Sequence, residues 1–152
     1  HYAILNLTKT KGFKASNDWI AQRLALPNKV VFDAWDRLIR LGHLKKVQNK
    51  FVRAYPRTET SDGFFDLAIR KAHVEDLKLI EKSVLHDHMA SRDHTSMTVV
   101  INQKNMKKAK EMIRIFYDQF SEEVEIKDNE LGEEVYRLSI AFFPLTNIKE
   151  TP

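Results

Sequence analysis

Residues 16–55, SNDWIAQRLALPNKVVFDAWDRLIRLGHLKKVQNKFVRAY, carry a series of local signals in an order that few folds accommodate. Ser16, Asn17 and Asp18 offer side-chain caps to the free amides of a first helical turn. Behind them Trp19, Ile20, Ala21 and Leu24 have the spacing of a short amphipathic helix. In the run LPNK, Pro27 presets the backbone of a first helical turn, or Asn28 caps it. Val31, Ala34, Trp35, Leu38 and Leu41 then recur every three or four residues and line one face of a longer helix, which Gly42 stops as a left-handed C-cap does. HLKKV (43–47) and FVRAY (51–55) are short β-prone runs around the polar turn QNK (48–50), the pattern of a hairpin. Upstream, Tyr2, Ile4, Leu5 and Leu7 suggest the end of another helix, closing in the polar turn from Thr8 to Gly12. The first residue is His1 rather than Met, so the chain reads as a fragment with more sequence before it.

Three helices and a hairpin in that order make a winged helix-turn-helix over residues 1–57. The segment IAQRLALPNKVVFDAWDRLIRLGHLKK resembles that superfamily: a short helix, a turn, a longer helix ending in Leu-Gly-x-Leu, then the wing. The resemblance implies that the third helix enters the major groove of duplex DNA while the wing follows phosphates or the minor groove. Its solvent side carries Asn28, Lys29, Phe32, Asp33, Asp36, Arg37 and Arg40. Asn28 suits an adenine edge, and Lys29 a guanine or a phosphate. On the wing, Lys45, Lys46, Lys50 and Arg53 suit backbone contacts that position without specifying sequence, as do Lys9, Lys11 and Lys14. The candidate DNA-binding residues are therefore Asn28, Lys29, Arg37, Arg40, Lys45, Lys46, Lys50 and Arg53. Asp33 and Asp36 oppose this role, because they share the face that meets phosphates. No arginine stands in the first turn of that helix either, which leaves open an alternative in which the winged helix contacts protein.

Charge divides along the chain in the same sense. Residues 1–57 hold 12 Lys and Arg against 3 Asp and Glu, a net +9, whereas residues 58–152 hold 13 against 18, a net −5. A basic block followed by an acidic one is the footprint of one lobe that meets a polyanion and another that does not. The chain has no cysteine, which removes disulfides, thiolate chemistry and Cys-type zinc sites and sets a cytoplasmic location as the expectation. No apolar run approaches a membrane span of about 20 residues, so no membrane partner is expected.

The acidic part predicts an α/β domain over 58–152. A long helix spans 62–88, capped by Ser61 or Asp62, with Phe65, Ile69, His73, Leu77, Ile80 and Val84 on its apolar stripe. His73 on such a stripe reads as a hydrogen-bonded core residue paired with Arg70. SMTVVIN alternates as a strand over 96–102. A helix over 103–121 places Met106, Ala109, Ile113, Phe116 and Phe120 on one side, and a second strand covers 134–143 until Pro144 ends it. The predicted class is α+β, a winged helix-turn-helix followed by a helix-strand-helix-strand domain. Two strands alone bury little and leave open edges, so the sheet is expected to be completed by a second copy of the chain or by a segment upstream of His1. The helix over 103–121 begins with Lys104, Lys107, Lys108 and Lys110 and is followed by Glu122, Glu123 and Glu125. That order opposes the helix dipole.

LAIRKAHVEDL (67–77), SRDHTSMTVVI (91–101), KAKEMIRIFYDQF (108–120) and VYRLSIAFFPLT (135–146) resemble a C-terminal domain of unknown function found in many bacterial proteins regarded as transcriptional regulators. In that family a winged-helix segment like 1–57 directly precedes the domain, and a further helix-turn-helix region commonly stands upstream. The resemblance implies a regulator and supplies no ligand.

HDHMASRDH (86–94) places three of the six histidines within nine positions. His86 and His88 are two apart, so on a helix they diverge and cannot share a metal; unwound, they and His94 offer three ligands, short of the oriented set zinc requires. The expected role is a polar connector, with no metal and no cofactor. There is no Gly-rich phosphate loop, no His-Glu-x-x-His and no Gly-x-Ser-x-Gly. The functional expectation is a non-enzymatic regulator that binds duplex DNA as a homodimer, with a C-terminal domain for dimerisation or for an unidentified ligand or protein partner.

Overall fold

A computed structural model describes residues 1–48, 50–54, 66–127 and 130–147. The described residues form an α+β arrangement of helices and one two-stranded antiparallel sheet, and the chain divides into two compact units.

The first unit comprises His1–Glu59 and Val124–Arg137. Helix α1 covers Tyr2–Leu7, α2 covers Asn17–Leu24 and α3 covers Asn28–Arg40; strands β1 (Leu44–Val47) and β2 (Lys50–Arg53) follow as a hairpin. The hydroxyl of Ser16 caps α2 by accepting from the Trp19 amide at 3.5 Å. Pro27, in extended conformation, is the N-cap of α3, so Asn28 is its first helical residue. Beyond the α3 C-cap Leu41, Gly42 takes φ 72°. The amides of Gly42 and His43 donate to the carbonyls of Ile39 and Leu38, both at 2.9 Å, which satisfies two of the carbonyls a helix end exposes.

The core of this unit gathers Ile4, Leu5 and Leu7 from α1, Ile20 and Ala21 from α2, Val31 and Leu38 from α3, and Leu44 from β1. A chain of rings borders it: Phe13 meets Trp19 edge-on at 5.6 Å and stacks on Trp35 at 6.4 Å, and Trp35 meets Phe51 at 5.0 Å. Leu41, expected on the buried face of α3, is exposed. It lies past the last helical residue, where the helical period no longer sets its direction.

Residues 124–137, assigned by their sequence to the acidic domain, lie instead in this first unit. Thr10 and Gly132 form a parallel bridge: the Lys11 amide donates to the Gly132 carbonyl at 2.8 Å and the Gly132 amide to the Lys9 carbonyl at 3.0 Å. Val135 packs against the core.

The second unit, Thr60–Glu123 and Leu138–Pro152, holds α4 (Asp66–His86) and most of α5 (Met106–Val124). The expected caps Ser61 and Asp62, and Phe65 of the expected stripe, lie outside the described residues. A 3-10 turn over Gln103–Asn105 precedes α5, so the helix runs three residues later than its sequence suggests. His73 is exposed rather than a core histidine; the less exposed positions of α4 include Asp76, Ile80 and Ser83, a line rotated from the predicted stripe.

The strands expected at 96–102 and 134–143 join no β-ladder among the described residues. Alternation marks side chains fit for a strand, but a strand exists only where another backbone supplies its hydrogen bonds. No residue of this unit whose burial is described is buried, and no described helix is long and apolar enough to cross a membrane.

Candidate nucleic-acid interface

The pairing register of the hairpin decides where its cations point. Leu44 pairs with Arg53, Lys45 with Val52, Lys46 with Phe51 and Val47 with Lys50. Directly opposed residues of an antiparallel pair share a face, and faces alternate along each strand. One face therefore carries Lys45, Val47, Lys50 and Val52, all exposed. The other carries Leu44, Lys46, Phe51 and Arg53, of which Leu44 is buried and Phe51 and Arg53 are half-buried. Residues 41–54 contain no Asp or Glu, so the positive charge of the hairpin is unopposed within it.

Arg53 differs from its three neighbours. Its Nη1 donates to Asn6 Oδ1 at 3.4 Å, and its Nε is buried without a hydrogen-bond partner. The side chain is drawn toward α1, away from the face of Lys45 and Lys50.

On α3 the positions farthest from the buried Val31 and Leu38 are Lys29, Asp33, Asp36 and Arg40, spaced four, three and four apart and all exposed. Along this line each cation has an aspartate one turn away, and the four charges cancel. Asn28, also exposed, donates its side-chain amide to Asp18 Oδ1 on α2. That bond holds the amide at the α2–α3 turn with one of its two hydrogens and leaves the other hydrogen and Oδ1 for a base edge. Arg37 lines a shallow depression of about 280 Å³ with His1, Tyr2, Leu5, Leu38, Leu41 and His43, to one side of the Lys29–Arg40 line.

The turn between α1 and α2 carries further cations, and two of them are engaged. Lys11 Nζ lies 3.1 Å from Glu133 Oε1, and Lys9 Nζ 4.0 Å from Glu125 Oε1. Arg23, on α2, reaches the Glu133 carbonyl and Glu134 Oε2, both at 2.9 Å. The sequence carried one signal for these contacts, the run of carboxylates around 122–134, and none for their partners. These exposed pairs contribute little stability each, but they offset the charge of Lys9 and Lys11 in the first turn and of Arg23 on α2.

The histidine-rich stretch forms the connector after α4. His88 is the N-cap of a 3-10 turn over Met89–Ser91, its Nδ1 accepting from the Ala90 amide at 3.2 Å. Arg92 donates to the carbonyls of Asp87 and Val84, and His94 Nε2 lies 3.3 Å from Ser83 Oγ. Among the described residues no three of His, Asp and Glu are grouped so as to hold a metal ion.

A family model described as a domain of unknown function (DUF4423) matches residues 1–145, and the chain belongs to that family. The match runs through both units, so the two are parts of one family domain. No curated protein and no solved structure matches the chain.

Proposed function

We propose that the first unit is a winged helix-turn-helix that binds duplex DNA, and that the chain is part of a bacterial transcriptional regulator whose second unit serves dimerisation or an effector. The observation that carries this reading is the hairpin: Lys45 and Lys50 share one exposed face with no carboxylate between residues 41 and 54. The order of three helices and a hairpin supports it. With the α3 line neutral overall, affinity falls chiefly to the hairpin lysines, and base reading to Asn28 and Lys29 at the start of α3.

Fluorescence anisotropy with labelled duplex DNA tests the proposal. Six or more phosphate contacts predict an affinity loss of about 10³-fold or more between about 50 and 200 mM salt. The triple variant Lys45→Glu, Lys46→Glu, Lys50→Glu is expected to bind no DNA under either condition. Absence of binding by the unaltered chain at the lower salt overturns the proposal.

A second reading, a protein-interaction module, is favoured by one feature of α3: Val30, Phe32 and Ile39 stand exposed on it, with Leu41 just beyond. A docking surface of that kind predicts an affinity nearly independent of salt.

A further inference from the structure

Helix α5 has two apolar sides. Met106, Ala109 and Ile113, three and four residues apart, are half-buried. The adjoining flank, Met112, Ile115 and Phe116, is 60%, 51% and 50% exposed. At one end of this flank stands Lys108, one turn before Met112; at the other stand Gln119 and Glu123, at successive one-turn steps after Ile115. All three are exposed.

The flank is symmetric about the midpoint between Ile115 and Phe116. Lys108 and Glu123 are equidistant from it, as are Met112 and Gln119. We propose that two copies of this chain pair antiparallel along this flank of α5, on a twofold axis at that midpoint, with Lys108 of each copy against Glu123 of the other. This deepens the reading of the second unit as a dimerisation domain and does not depend on DNA contact.

Three observations select a second copy, and this orientation, as the occupant. The first is charge complementarity: a parallel pair sets Lys108 against Lys108 and Glu123 against Glu123, whereas the antiparallel pair sets opposite charges together at both ends. The second is the placement of charge within α5, which has no acidic residue in its first turn and no basic residue in its last. Alone, each charge stands at the wrong end of the helix dipole. Beside an antiparallel neighbour, each lies against the partner's opposite pole. The third is that no residue of the second unit whose burial is described is buried, and covering this flank gives the unit an apolar interior. The contact is isologous, since one patch meets itself, and it closes without open-ended growth.

Sedimentation velocity of the full chain at micromolar concentration is expected to show a dimer. Lys108→Glu and Glu123→Lys each create like-charge contacts twice over by symmetry and are expected to weaken it about tenfold. Combining the two substitutions reverses both charges together and is expected to restore the dimer. A monomeric unaltered chain, or single variants that dimerise as well as the double, overturns the proposal.

Cross-linking supplies a second readout independent of these charges. The chain has no cysteine, so Lys108→Cys with Glu123→Cys introduces the only thiols, about 22 Å apart along one helix and beyond the reach of an intramolecular disulfide. Oxidation is expected to give covalent dimers from the double variant and none from either single one. Cross-linking by Lys108→Cys alone indicates a parallel pair and overturns the orientation. A dimer without DNA affinity leaves this seam standing and removes the proposed function; a DNA-binding monomer does the reverse.

Discussion

Ala25 ends α2 at φ 50°, and its amide and that of Leu26 donate back to Gln22 and Ala21 at 3.3 and 2.9 Å. This is the closing motif that Gly42 provides for α3, but here the left-handed position holds a residue with a Cβ, which costs it about 1–2 kcal/mol in that conformation. Ala25→Gly is expected to stabilise the chain by about 0.5 kcal/mol, the strain relieved exceeding the added freedom of the unfolded glycine. Gly42→Ala is expected to destabilise by about 1 kcal/mol through backbone conformation alone, since a Cβ there meets nothing within 4 Å. Urea denaturation of the two variants checks both signs. Two cations of β2 also part at this scale. Lys50→Met is expected to lower the slope of log affinity for DNA against log salt by about one. Arg53→Met leaves that slope unchanged and keeps or raises stability, because it removes a buried Nε that has no partner.

Along α3, the Lys29–Asp33–Asp36–Arg40 line predicts that Asp33→Asn with Asp36→Asn raises DNA affinity about tenfold, as two carboxylates leave a face that the proposed function turns to phosphates. Unchanged affinity in the same anisotropy titration places that face away from DNA. The bounds of α2, α3 and the hairpin were legible because their determinants are local: Ser16, Pro27 and Gly42 act within a turn of where they stand. The strands expected at 96–102 and 134–143 join no ladder among the described residues, because alternation in Met97, Val99 and Ile101 describes side chains while the pairing that makes a strand is non-local. The candidate site was legible in part for the same reason. Lys45 and Lys50 were found by their charge, but only the register Leu44 to Arg53 shows that Arg53 turns inward, and Asn28 was not expected to hold Asp18. On α4, His73 was misplaced because apolar residues recur around more than one side of that helix.

At the scale of the chain, the division of charge at residue 57 is real in composition but does not follow the division into units. Lys9, Lys11 and Arg23 take their counter-charges from Glu125, Glu133 and Glu134, more than a hundred residues on. A fragment of residues 1–59 gives up these pairs, the two backbone hydrogen bonds to Gly132 and the packing of Val135. It is expected to be about 2–3 kcal/mol less stable than the same unit in the full chain, nearly all of it from the hydrogen bonds and Val135 rather than the exposed pairs. Equal denaturation midpoints for fragment and chain would show that the returning segment contributes nothing to the unit. The bridge from Thr10 to Gly132 also sets an order in time. During synthesis, the three helices and the hairpin emerge early and wait for residues 124–137, roughly 4 to 16 seconds at ribosomal speeds, before their unit can close.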